Sequence, residues 1–191
     1  MAALPQIAVI VGSNRRDSIN RKLALALIKL GAGKFDAKLV RIDDLPMYNQ
    51  DNEGSLPPEV VRYKDELARA DGVLIVTPEH NRSIPTVLKN AIDWGARPWG
   101  KSSWPGKPGF ITGTSPGALG TALVQANLRT VMLGLGMTLL GGESYVQFKP
   151  NLIDDHGDVT DESTRKFLQD FVDRFATLVG RLAPEVKRSA A

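Results

Sequence analysis

The chain has 191 residues, 42% apolar and 24% charged, which bounds it to one ordinary globular domain expected to span residues 1–191. Lysine and arginine number 24 against 21 aspartate and glutamate. The formal charge is therefore only +3, and with no basic stripe interleaved with aromatics a nucleic-acid partner is not expected. The absence of cysteine excludes disulfides, thiolate nucleophiles and cysteine-ligated metals, and with only His80 and His156 present no metal site is expected.

In chain order, the N-terminal stretch "MAALPQIAVIV" has no basic n-region or long apolar core, so no signal peptide is read. Every apolar run falls short of the roughly 18 residues a membrane span needs, and the expectation is a cytoplasmic protein without a membrane partner. Ile7, Ala8, Val9, Ile10 and Val11 show no polar alternation, as in a central strand covered on both faces. After Gly12, Ser18 is placed to cap a helix whose apolar residues Ile19, Leu23, Leu27 and Leu30 recur at helical spacing. A short strand "AKLVRI" leads into a turn-rich loop, and "PEVVRYKDELARA" is helical with proline at its start. "GVLIVT" is a second buried strand, "PEHNRSIP" a polar loop, and "TVLKNAIDWGA" a helix. "PGFITGT" is a fourth strand, "SPGALG" a glycine loop, and "TALVQANLRTVMLGLG" a long apolar helix. "MTLLGGESYVQF" is expected as one fifth strand, bent or bulged at Gly141 and Gly142. "TDESTRKFLQDFVDRFATLVGRLA" closes the chain as an amphipathic helix.

Five strands alternating with five helices predict an α/β fold, a doubly wound parallel sheet with helices on both faces. Ligands in such a fold sit at the carboxyl ends of the strands, and the loops after strands one, three and four are the ones rich in Ser, Asn, Pro and Gly. A helix N-terminus with unpaired N–H groups is a ready anion site. The first loop holds one glycine, so it is neither a G-x-G-x-x-G turn nor a P-loop. Ser13, Arg15, Ser18, Asn20 and backbone donors suffice for a terminal phosphate without a metal; a solvated, well-capped turn is the alternative. Glu79, His80 and Asn81 emerge beside the close backbone approach offered by Gly113, Gly117 and Gly120, where a flat heterocycle could be read on its polar edge. Phosphate and heterocycle together describe a mononucleotide, most naturally FMN.

The segments "GSNRRDSINRKLA", "VTPEHNRSIPTVLKNAIDW" and "TGTSPGALGTA", with the run D-x-G-x-x-T-D-E-x-T-R before the last helix, resemble the signature segments of the NAD(P)H-dependent FMN reductases. That flavodoxin-like group includes quinone, chromate and azo reductases, and the resemblance covers nearly the whole chain. It implies a five-stranded sheet of order 2-1-3-4-5. Ser13, Arg15, Ser18, Ile19 and Asn20 would hold the FMN phosphate. Pro78, Glu79, His80 and Asn81 would contact the ring and ribityl chain, and Ser115, Pro116 and Gly117 the ring's other edge. The family commonly has tyrosine where this chain has His80, a departure of interest because histidine titrates near neutrality.

The activity so implied passes hydride from NADPH or NADH through flavin to quinones, azo compounds, chromate or free flavin, with no catalytic acid or base in the protein. Glu79 is expected to fix its loop and Asp93 to lie on an exposed or interfacial helix side. Trp94, Trp99 and Trp104 are expected in the core or a subunit contact rather than in a lid, and Arg82, Arg97 and Lys101 are candidates to attract nucleotide phosphates. The apolar helix "TALVQANLRTVMLGLG" and the resemblance both point to a homodimer or homotetramer. A flavodoxin-type electron carrier without its own NAD(P)H oxidation is the rival; such carriers tend to be strongly acidic, and this chain is slightly basic.

Overall fold

A computed structural model describes residues 3–189. Strand β1 (Gln6–Val11) pairs in parallel with β2 (Asp36–Val40) on one side and β3 (Gly72–Val76) on the other. Next to β3 lies β4 (Pro108–Ser115), and beyond it the short β5 (Thr138–Leu139), so the order is β2-β1-β3-β4-β5, as expected. Every described strand belongs to this sheet.

The two faces are built by the period of two along each strand. Ile7, Val9 and Val11 join Leu74, Val76 and Phe110 on one face, under helices α1 (Ile19–Leu30) and α5 (Glu162–Ser189). Ala8, Ile10, Val73, Ile75 and Ile111 face the opposite way, under α2 (Pro58–Arg69), α3 (Thr86–Ala96) and α4 (Ala122–Gly134). The tryptophans divide: Trp94 and Trp104 are fully buried in this second layer, with their indole N–H groups on the carbonyls of Pro46 and Ile92, whereas Trp99 is 87% exposed.

The fifth strand position corrects the expectation of one bent strand. It is filled by β5 and, after an interruption, by β6 (Tyr145–Gln147), both parallel to β4. Thr138 pairs with Pro108 and Leu139 with Gly109, but Tyr145 pairs with Gly113, so residues 140–144 pass opposite residues 110–112. Gly142, at φ +100°, turns the chain out of the ladder. The carbonyls thus expelled are taken by arginines: Arg129 donates to Leu140 and Gly142 (2.9 and 2.6 Å), and Arg174 to Gly141 (2.8 Å). The loop after β2 contains a 3-10 turn (Gln50–Gly54) that the sequence reading did not anticipate.

Candidate functional site

At the exit of β1, the Gly12 N–H continues the ladder onto the Val76 carbonyl (2.8 Å). A Cβ there would lie 2.5 Å from the Thr77 hydroxyl, so only glycine fits. The chain then swings outward: Ser13 is half-buried and residues 14–17 are exposed. It returns at Ser18, buried, whose hydroxyl oxygen accepts from the Arg21 N–H (3.2 Å) as the α1 cap. Among the described residues, no acceptor meets the backbone N–H groups of residues 16–20, and no partner meets the guanidinium groups of Arg15, Arg16 and Arg21.

Asn20 behaves differently from its neighbours. Its carboxamide is 1% exposed and grips the Thr114 backbone at both ends, Nδ2 donating to the carbonyl and Oδ1 accepting from the N–H, each at 2.9 Å. This side chain fastens the start of α1 to the end of β4. Ile19 beside it is half-buried.

The loop after β3 is a tight hairpin turn. His80 and Ser83 exchange backbone hydrogen bonds (3.1 and 2.9 Å), and the corner residues Asn81 and Arg82 have φ of 49° and 64°. Two left-handed corners are the signature of a type I′ turn, natural for asparagine and uncommon for arginine. The corner is held from outside, because Asn127 on α4 donates to the Arg82 carbonyl (3.1 Å). Glu79 does more. One carboxylate oxygen accepts from Arg82 (3.3 Å), the other from the Leu123 and Val124 N–H groups (3.1 Å each). Thr121 makes no side-chain cap, so α4 is capped by Glu79 from another loop.

The loop after β4 is shaped by small residues. A Cβ on Gly113 would lie 2.0 Å from the Thr77 carbonyl oxygen, so β3 and β4 approach too closely for any side chain there. Ser115 donates to the Gly120 carbonyl (2.5 Å), and Gly120, at φ +57°, closes the turn onto Gly117 (3.0 Å). Gln147 on β6 donates to the Pro116 carbonyl (3.0 Å). Pro116 and Gly117 are themselves exposed.

The predicted residues thus share the carboxyl edge of the sheet but border two separate clefts. Glu79, Asn81, Ser115 and Gly117 line one of about 470 Å³, with Arg82 and residues 118–120. Ser13 and Arg15 line another of about 480 Å³, with Arg16, Arg21 and residues 39–43. Ser18, Ile19 and Asn20 line neither, nor do Pro78, His80 and Pro116. Arg41 was not anticipated, because nothing local in the sequence brings the end of β2 to the first loop; the parallel pairing does. Arg21, directly after Asn20 on α1, was not anticipated either.

Of the cations considered for nucleotide phosphates, Arg82 is tied to Glu79 and Arg97 to Glu53 (2.6 Å). The Arg97 guanidinium, helped by the Tyr48 hydroxyl, holds the Glu53 carboxyl below the usual carboxylate range. Asp93 pairs with Lys89 on the outside of α3 (2.7 Å). No group of acidic or histidine side chains suited to a metal exists among the described residues.

The family model described as NADPH-dependent FMN reductase matches residues 5–150. A 2-hydroxy-1,4-benzoquinone reductase of Burkholderia sp is 50% identical over 175 residues, covering 91% of this chain and 96% of that protein. A quinone reductase of Pseudomonas putida is 46% identical over 181 residues, covering 94% and 97%. FerB of Paracoccus denitrificans, a flavoenzyme NAD(P)H:(acceptor) oxidoreductase, superposes with a TM-score of 0.91 at 46% identity, covering 94% of this chain and 99% of its own.

Proposed function

The chain belongs to the NADPH-dependent FMN reductase family, and from that premise we propose that it is a one-domain, cytoplasmic NAD(P)H-dependent oxidoreductase that binds FMN and reduces quinones. The carrying observation is the run of backbone N–H groups at residues 16–20, free of internal acceptors and gathered at the capped N-terminus of α1. Such a run suits a phosphate dianion, and Arg15 beside it is unpaired. The donor set therefore fits FMN. Ser13, Arg15, Ser18 and the amides of Ile19 and Asn20 would hold the phosphate. Pro78, Glu79, His80 and Asn81 would border the ring on one side, and Ser115, Pro116 and Gly117 on the other, where the Gly117 and Ala118 N–H groups also lack internal acceptors.

The chemistry FMN supplies when bound is hydride acceptance from NAD(P)H and delivery of electrons to the quinone. The protein's part is positional. Glu79 has both oxygens engaged and serves the site by holding the hairpin against α4, not as an acid or base. Leu119, 59% exposed on the wall of the ring cleft, offers apolar surface for a planar acceptor. On α4, Leu123 and Leu133 are 43% and 57% exposed, which supports a homodimer or homotetramer formed through this helix.

The test is an anaerobic visible spectrum of the protein with added FMN, before and after NADPH or NADH, then with benzoquinone. Retained flavin bands that bleach on nucleotide and return with quinone are expected. Flavin that stays oxidised with both nucleotides would identify an electron carrier instead, and no retained flavin would remove the reading.

A further inference from the structure

We infer that the cleft between the ends of β1 and β2 is a phosphate-reading subsite for the adenosine 2′-phosphate of NADPH, with Arg16, Arg21 and Arg41 as its ligands. The inference rests on the reductase reading above and adds a donor preference to it. Its first support is the distribution of guanidinium partners. Every arginine from Arg41 to Arg174 is paired with a carboxylate or a backbone carbonyl. Arg15, Arg16 and Arg21 are not, and all three line this one cleft. Unpaired like charges held together repel, and an anion between them removes that cost.

The second support is at the end of β2. Arg41 is fixed by the Asp43 carboxylate at 2.8 Å, with Asp44 at 3.7 Å, so its planar fork is already oriented at the cleft wall. Asp43 lines the same cleft with its carboxylate engaged by the Arg41 guanidinium. In doubly wound folds that bind dinucleotides, the arginine that accommodates a 2′-phosphate lies near this strand end, where Arg41 stands. Val11, Leu39 and Ile42 supply apolar surface for the nucleoside, and about 480 Å³ is room for it.

The third support is separation. The cleft shares no lining residue with the one between the β3 and β4 loops, so ring and adenosine end need not compete. It adjoins the proposed FMN phosphate loop through Ser13 and Arg15, and Arg16, Arg21 and Arg41 also line it.

The experiment titrates FMN-loaded protein with adenosine 2′,5′-bisphosphate and with 5′-AMP by calorimetry, and measures kcat/KM for NADPH and NADH. The bisphosphate should bind at least about tenfold more tightly than 5′-AMP, and NADPH should be the better donor by a similar factor. In the double variant R16Q/R21Q both ratios should fall to within about twofold of unity, while R181Q, which removes an unpaired guanidinium elsewhere, should leave them unchanged. Equal affinity for the two ligands, ratios retained in R16Q/R21Q, or stoichiometric displacement of FMN by the bisphosphate would each overturn the inference. The last would assign the cleft to the flavin phosphate. Failure of the reductase reading looks different: no flavin retained, and neither nucleotide oxidised.

Discussion

The loops after β3 and β4 and the loop after β1 carry similar polar residues at the same sheet edge, yet they use them in opposite ways. In the first region the polar groups are engaged within the protein: Glu79 caps α4, Ser115 closes its own turn, and the Thr114 backbone is gripped by Asn20 from α1. In the second, Arg15, Arg16 and Arg21 have no partner among the described residues. The difference separates residues that shape a cleft from residues that face into it. Rigid elements with engaged polar groups hold geometry, and the unpaired cations beside them leave their charge open to an anion.

The shaped region is most sensitive at Gly113. An alanine Cβ at 2.0 Å from the Thr77 carbonyl oxygen must push β3 and β4 apart where both loops leave the sheet. Gly113→Ala should cost about 3 kcal/mol or more in urea unfolding and abolish flavin retention. Stability within error of the parent would mean that the strands part easily, and the shaped region would not be rigid. Asn20→Ala comes next. It leaves a buried N–H and a buried carbonyl of Thr114 without their partner, at a cost of about 2–4 kcal/mol. Asn20→Asp should be no milder, since it sets a carboxylate oxygen against the Thr114 carbonyl.

Glu79 tests the same idea with a smaller effect. Glu79→Ala uncaps α4 and should cost about 1 kcal/mol, measured as a shift in the urea midpoint, with weaker FMN binding as the hairpin loosens. Glu79→Gln keeps an acceptor for the two amides and should recover most of the loss. If Gln behaved like Ala, the charge rather than the hydrogen-bond geometry would hold the loop.

The fold was legible because β1 and β3 are uninterrupted apolar runs and the helices repeat their apolar residues at 3.6, signals contained within each element. The split of the fifth strand was half legible. Gly141 and Gly142 marked the place, but the arginines that stabilise the expelled carbonyls come from α4 and α5, and no local pattern announces them. The site divides in the same manner. Which loops converge follows from strand type and order, whereas where Asn20 or Glu79 points depends on partners 94 and 44 residues away. Asn20 read as a phosphate ligand by residue type and by resemblance; its burial and two bonds to Thr114 give its carboxamide a fastening role that spacing could not reveal.

Asp161 provides the smallest and most easily titrated case, a fastening that is local where that of Glu79 is distant. Its carboxylate accepts from the Thr164 hydroxyl (2.6 Å), the Thr164 N–H (2.7 Å) and the Ser163 hydroxyl (2.8 Å) at the start of α5. These bonds, the Thr164 hydroxyl first, hold its pKa at about 2, below the usual value of about 3.9. A carboxylate whose pKa is depressed on folding contributes stability that is complete above the unfolded pKa and lost as pH falls through the folded one. The difference in thermal midpoint between the parent and Asp161→Ala should therefore be constant from neutrality to about pH 5, shrink below about pH 4, and vanish near pH 2. A difference that persisted at pH 2 would show the cap working as a neutral acid. The contrast with Glu79 would then lie in distance along the chain and not in charge.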